Sequence, residues 1–190
     1  MSFSKSLKQE FKQNWWRWES SSPKTCSKLE EFETFILKHK NIQAISSHSL
    51  PFIPLDMLEK NKIIPIIPIR NPINRIISSY FFEKGLKFQL SSREIAQKLT
   101  LNEWISYKID SFKPTYTVYT PYGLDNFYII EEMESELERL NSRFTLSLKL
   151  NFINKSVWED SQLSPENRRK LEELLLEDIN LYNLCSTMSK

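Results

Sequence analysis

The side chains with the clearest chemical potential lie between Arg70 and Ser78. An apolar run from Ile63 to Ile69 leads into Arg70, Asn71 is a preferred helix N-cap, and Pro72 suits the first helical position. A helix N-terminus carries unpaired backbone N–H groups and a partial positive charge, so it favours an anion. Arg70 adds a permanently charged fork of donors, and Ser78 adds a hydroxyl. This stretch predicts a strand, a tight turn and a helix that together bind a phosphate group.

The same stretch resembles a motif of one enzyme family. Its pattern Arg-Asn-Pro-x-x-Arg-x-x-Ser-x-Tyr, from Arg70 to Tyr80, is similar to the 3′-phosphate-binding motif of sulfotransferases that use 3′-phosphoadenosine 5′-phosphosulfate (PAPS). The resemblance implies that Arg70 and Ser78 bind the 3′-phosphate of PAPS, the sulfuryl donor. Arg75 lies on another face of the helix, and we interpret it as structural. Without the resemblance, Arg70 could equally form an ion pair at a strand end, and Ser78 could face solvent.

Weaker resemblances lie on both sides of this motif. The segment from Ile45 to Pro51 is similar to the strand end that carries the catalytic histidine in several sulfotransferase branches. This implies that His48 is a general base, which takes the proton of an acceptor hydroxyl as the new S–O bond forms. By residue type alone, His48 would be a hydrogen-bonded surface group. Residues 127–140 resemble the family's next strand and helix. Residues 163–182 resemble the late helix of its carbohydrate-directed branch, which implies that the acceptor is a carbohydrate.

Glycine is scarce in this chain of 190 residues, which holds only Gly85 and Gly123. Average usage would give roughly 13 glycines in that length. A Rossmann fingerprint or a standard phosphate loop needs several glycines close together, so both are excluded. The family's own phosphosulfate loop, Pro-Lys-x-Gly-Ser/Thr, is also missing, and its expected place falls ahead of Met1, which predicts an N-terminally truncated chain. The segment around Lys24 imitates that loop, but Cys26 stands where the glycine should be.

Charge and cysteine content limit the partners. Lys and Arg number 26 and Asp and Glu 24, so the net charge is 26 − 24 = +2 and no basic face suggests nucleic acid. Cys26 and Cys185 have neither metal-site nor disulfide-framework spacing, so no metal is expected. No signal-peptide core and no membrane-length apolar run occur, and the chain is expected to be cytoplasmic.

The elements that must position these residues are mostly helices. Capping boxes begin at Ser27, Ser91 and Thr100 and predict helices ending near His39, at 92–99 and at 101–110, while Ser164-Pro165 begins a closing helix. Residues 3–18 read as another helix, and short strands are predicted at 42–46, 63–69 and 127–130. The acidic residues from Glu131 to Glu138 read as a solvated helix face. The expected fold is a single α/β domain over 1–190, helix-rich, with a parallel sheet flanked by helices, similar to sulfotransferases and P-loop NTPases.

Two other functions stay open at this point. The chain could be a catalytically inactive sulfotransferase remnant that binds a nucleotide or a protein partner. It could also be a helical interaction domain in which Trp15, Trp16 and Trp18 form a docking patch, although tryptophans so close together more often pack in a core.

Overall fold

Helices make up most of the computed structural model, which describes residues 8–18, 25–47, 52–85, 91–149 and 163–188. The helices are α1 Thr25–Lys38, α2 Leu55–Lys60, α3 Pro72–Gly85, α4 Ser91–Lys98, α5 Leu101–Lys108, α6 Met133–Phe144, α7 Pro165–Leu174 and α8 Leu176–Met188. The strands are β1 Trp15–Trp18, β2 Ala44–Ser47, β3 Ile67–Ile69 and β4 Phe127–Ile129. The helix-rich α/β character expected from the sequence is therefore confirmed.

The strands of the described residues form two separate pairs, where the sequence predicted one parallel sheet. Strand β1 runs parallel to β2, in a register that places Trp15 opposite Ala44, and β3 pairs with β4. The helix predicted over 3–18 is wrong at its end, because Trp15–Trp18 is a strand; residues 3–7 lie outside the described residues. Aromatic side chains favour a pleated surface, and the backbone of β2 supplies the hydrogen bonds. Strand β3 is shorter than predicted; it excludes Pro65 but contains Pro68.

The contacts of the chain divide it into two compact units, each built from several segments. Unit 1 holds the described residues up to Ile67, Pro121–Asn126, and those from Glu132 to Lys149. Its core centres on Phe32, Ile53 and Leu58. Because the segments alternate along the chain, no single point in the sequence separates the units, and one domain over 1–190 stays a prediction.

Unit 2 holds the described residues from Pro68 to Thr120, Phe127–Glu131, and those from Leu163 onward. Its core is formed by α3, α4, α5, α7 and the turn after α7, with the Tyr80 and Trp104 rings 5.5 Å apart. The buried members of this core are Ile73, Ile76, Ile77, Tyr80, Ala96, Leu101, Trp104, Ile105, Leu163, Leu171 and Leu175.

Side-chain caps predicted from the sequence begin helices in unit 2. Thr100 forms the predicted capping box with Glu103, whose pKa is lowered by hydrogen bonds from the Thr100 backbone and hydroxyl. The Ser164 hydroxyl accepts a hydrogen bond from the Asn167 N–H at 3.3 Å, as an N-cap should. The prediction of a capping box at Ser27 is wrong, because α1 begins two residues earlier, at Thr25. Gly85 is the last residue of α3 and not a left-handed cap; the described glycine with positive φ is Gly123.

The closing helix is divided by a turn at Leu175. Leu171 and Leu175 are fully buried, whereas Leu174, which the periodicity assigns to the same face, is 39% exposed. The second half begins as α8, with Asp178 in its first turn, where a carboxylate interacts favourably with the helix dipole. The turn therefore starts a new helix N-terminus close to Asp178.

Part of the acidic run is buried, contrary to the prediction of a solvated face. Glu136 in α6 is only 1% exposed and accepts a hydrogen bond from Arg139 Nε at 2.7 Å. A carboxylate at this depth is stable because a charged donor satisfies it. Glu134 and Glu138 are exposed, as the pattern indicated.

Candidate functional site

The candidate site lies in unit 2, where the chain passes from β3 into α3. Ile69, the last residue of β3, is fully buried, and Arg70 follows it. The Asn71 Oδ1 accepts hydrogen bonds from the N–H groups of Ile73 at 3.1 Å and Asn74 at 3.2 Å, and Pro72 occupies the first helical position. The predicted strand, turn and capped helix are confirmed here.

Glu131 occupies the N-terminal end of α3. Its Oε1 accepts a hydrogen bond from the Asn71 N–H at 3.1 Å and lies 3.5 Å from Arg70 Nε. Pro72 has no N–H, and the next two N–H groups already bond to Asn71. The first-turn donors that were expected to bind a phosphate are therefore satisfied by the protein itself, and that part of the prediction is wrong. Glu131 itself is exposed, as the acidic pattern predicted, and lies in a short 3₁₀ turn ahead of α6.

Asp178 holds the loop that packs beside this turn. Its side chain is fully buried and accepts hydrogen bonds from three consecutive backbone N–H groups, those of Thr115 at 2.7 Å, Tyr116 at 2.9 Å and Thr117 at 3.2 Å. The three donors neutralise the desolvation cost of the buried carboxylate. They also fix the backbone on both sides of Tyr116.

Tyr116 connects this loop to both arginines of the motif. It is 8% exposed, and its hydroxyl oxygen accepts a hydrogen bond from the Arg70 N–H at 3.3 Å. The Arg75 guanidinium carbon lies 5.4 Å from the centre of the Tyr116 ring, within cation–π range. Burial raises the pKa of the Tyr116 phenol, while the Arg75 charge and the Arg70 N–H oppose that rise.

The structure describes some of the residues predicted for the site and not others. Arg70 follows β3 with its side chain 27% exposed, and its guanidinium contacts Glu131. Ser78 is half-buried on α3, two helical turns beyond Asn71, and its hydroxyl makes no hydrogen bond to any described residue. His48 and Lys24 lie outside the described residues. Tyr80 belongs to the core, where its hydroxyl donates to the Leu99 carbonyl and accepts from Lys84.

Three contributors were not identified from the sequence: Tyr116, Glu131 and Asp178. Asp178 did carry a signal, because it lies three residues after Leu175 and three before Leu181, on the apolar side of its helix. A carboxylate in such a stripe is buried and needs donors. Tyr116 and Glu131 carried no comparable signal.

Metal binding and membrane insertion depend on side-chain clusters and helix length, here within the described residues 8–18, 25–47, 52–85, 91–149 and 163–188. No group of three or more His, Cys, Asp or Glu side chains in them is arranged to hold a metal ion. None of the helices in those ranges is both long enough and apolar enough to cross a bilayer.

Comparisons with known proteins identify no relative. The sequence matches no protein-family model and no curated protein, and the fold matches no solved structure. Functional inference therefore depends on the residues and geometry described above.

Proposed function

We propose that the chain is a sulfotransferase-family protein that transfers a sulfuryl group from PAPS to a hydroxyl of a carbohydrate. In this proposal Arg70 and Ser78 bind the 3′-phosphate of PAPS. The observation that carries the proposal is the turn between β3 and α3. There an arginine follows a buried strand end, an asparagine caps the helix, and a serine lies two turns further on. This is the local structure that the motif predicts.

Electrostatics at the turn support phosphate binding by side chains. Arg70 is permanently charged and about three-quarters withdrawn from water, so its interactions are screened less than those of a surface arginine. Its backbone is held by the Tyr116 hydroxyl, which limits the freedom that binding would have to remove.

The reaction would proceed by attack of the acceptor oxygen on the sulfur of PAPS. The new S–O bond forms as the bond between the sulfur and the bridging phosphate oxygen breaks, which releases adenosine 3′,5′-bisphosphate. His48 would accept the proton of the acceptor hydroxyl. This role of His48 follows from the resemblance of residues 45–51.

A thermal-shift titration with adenosine 3′,5′-bisphosphate tests the binding. A ligand that binds only the folded state raises the midpoint of unfolding, and Arg70→Ala should remove that rise. Adenosine 5′-monophosphate, which lacks the 3′-phosphate, is the matched control ligand. No shift at millimolar bisphosphate, or an equal shift in Arg70→Ala, would overturn the phosphate assignment.

A second candidate function is nucleotide binding without transfer. It is favoured by the segment Pro23-Lys24-Thr25-Cys26, which has a cysteine where the glycine of the family's phosphosulfate loop should be, because the lysine and backbone of that loop stabilise the leaving phosphosulfate oxygen. A transfer assay with radiolabelled PAPS and a panel of sugars separates the two functions. Transfer that is lost in His48→Ala, with bisphosphate affinity retained, supports the enzyme; binding with no transfer to any sugar supports the second candidate.

A further inference from the structure

The charged groups around Tyr116 differ in whether a neighbouring group of the protein satisfies their charge. Two carboxylates, Asp178 and Glu131, and the Arg75 guanidinium act on the Tyr116 phenol, and the Arg70 backbone N–H donates to its hydroxyl. Asp178 is satisfied by three backbone N–H groups, and Glu131 is satisfied by the Asn71 N–H and by Arg70. Within the described part of the chain, Arg75 forms no ion pair, and its Nε is buried without a hydrogen-bond acceptor. Arg75 is thus the cation here that lacks a counter-charge from those residues.

No described residue accepts a hydrogen bond from the Arg75 side chain. The guanidinium carbon lies 5.4 Å from the centre of the Tyr116 ring, and a cation–π contact leaves the terminal N–H groups able to donate to another acceptor. A half-buried guanidinium also interacts more strongly with an anion than one fully in water. The Tyr116 ring therefore stabilises the Arg75 charge but provides no counter-charge.

Ser78 offers a hydroxyl on the same surface of α3. Residues three apart on a helix have Cβ atoms about 5–6 Å apart, so Arg75 and Ser78 are neighbours on α3, and the prediction that Arg75 lies on another face is wrong. The Ser79 hydroxyl, in contrast, donates to the Arg75 carbonyl within the helix backbone. The hydroxyl at position 78 makes no such bond to a described residue.

We infer that Arg75, together with Ser78, contacts the 3′-phosphate of the bound nucleotide, so that Arg75 is a specificity-determining residue and not only a structural one. This inference rests on the proposed function and extends it. A phosphate has enough oxygens to accept from the Ser78 hydroxyl and from a guanidinium edge at once. Arg75 would then set the preference for a nucleotide that carries a 3′-phosphate.

The test measures affinities for adenosine 3′,5′-bisphosphate and adenosine 5′-monophosphate by calorimetry, because the two ligands differ only in the 3′-phosphate. Arg75→Gln should lower bisphosphate affinity by about tenfold or more, the usual loss for a hydrogen bond to a charged group, and should change monophosphate affinity less than about twofold. Arg75→Lys keeps the charge without the fork and should recover part of the preference. Arg169→Gln, an exposed change of equal charge in the same unit, should leave both affinities unchanged.

Each possible result either supports or overturns the inference about Arg75, and some also bear on the proposed function. If the preference for the bisphosphate is lost in Arg75→Gln and partly regained in Arg75→Lys, the inference stands. If Arg75→Gln keeps the full preference while Arg70→Ala loses it, the inference is overturned and the proposed function remains. Equal weakening of both ligands by Arg75→Gln, with a lower unfolding midpoint of the free protein, shows a structural role only and overturns it too. A wild-type protein that does not distinguish the two ligands overturns both.

Discussion

Replacing Asp178 by alanine should destabilise unit 2 more than most single changes do. The carboxylate is fully buried and is the acceptor for three backbone N–H groups. The Tyr116 N–H is buried, and losing its acceptor costs about 1–3 kcal/mol; the Thr115 and Thr117 groups are part-buried and cost about 1 kcal/mol each. The expected loss in the free energy of unfolding is therefore about 3–5 kcal/mol.

Urea unfolding, followed by circular dichroism and tryptophan fluorescence, measures this loss. Asp178→Asn retains one acceptor oxygen but brings two donors towards the loop, so its loss should be about half as large. Glu177→Ala is the matched control, because Glu177 is an exposed carboxylate in the same helical turn, and its effect should stay within about 0.5 kcal/mol. A loss below about 1 kcal/mol in Asp178→Ala would refute the role of the carboxylate as a loop clamp.

Three further changes test other contacts. Glu131→Gln removes a charge that competes for Arg70, so bisphosphate affinity should rise by about threefold or more in calorimetry, and a fall would contradict the assignment of Arg70. Burial raises the pKa of Tyr116, so the free energy of unfolding should fall as the pH rises above the ordinary tyrosine value of 10.0. That fall should be smaller in Tyr116→Phe, as urea unfolding at about pH 9 and about pH 11 would show; equal falls would contradict it. Ser164→Ala should lower the free energy of unfolding by about 1 kcal/mol through loss of the α7 cap, and no change would mean that the cap is not used.

The sequence was most informative where a structure depends on neighbouring residues. Asn71-Pro72, Thr100 and Ser164 were identified as helix starts because a cap and its backbone partners lie within three residues of each other. Strand β1 was missed because its formation depends on pairing with β2, 29 positions away, where Trp15 meets Ala44. Local aromatic spacing fitted a helix equally well.

The site was predicted in outline but not in its electrostatics. Arg70 and Ser78 could be proposed from their spacing along one segment. Glu131 and Asp178 act on groups about 60 residues earlier in the chain, and nothing in local pattern specifies such a partner. Folding brings these carboxylates to the loop and the helix end, and they determine which positive groups are already neutralised.

The position of Glu131 also determines whether side-chain substitutions can abolish phosphate binding at this end of unit 2. Backbone donors cannot be removed by changing a side chain, so a phosphate bound by main-chain N–H groups would retain much of its affinity in any variant. Here those donors are already engaged by Glu131 and Asn71. Affinity for phosphate at this place would come from side chains alone, and a variant lacking the Arg70 and Arg75 guanidiniums and the Ser78 hydroxyl would retain none of the proposed phosphate ligands.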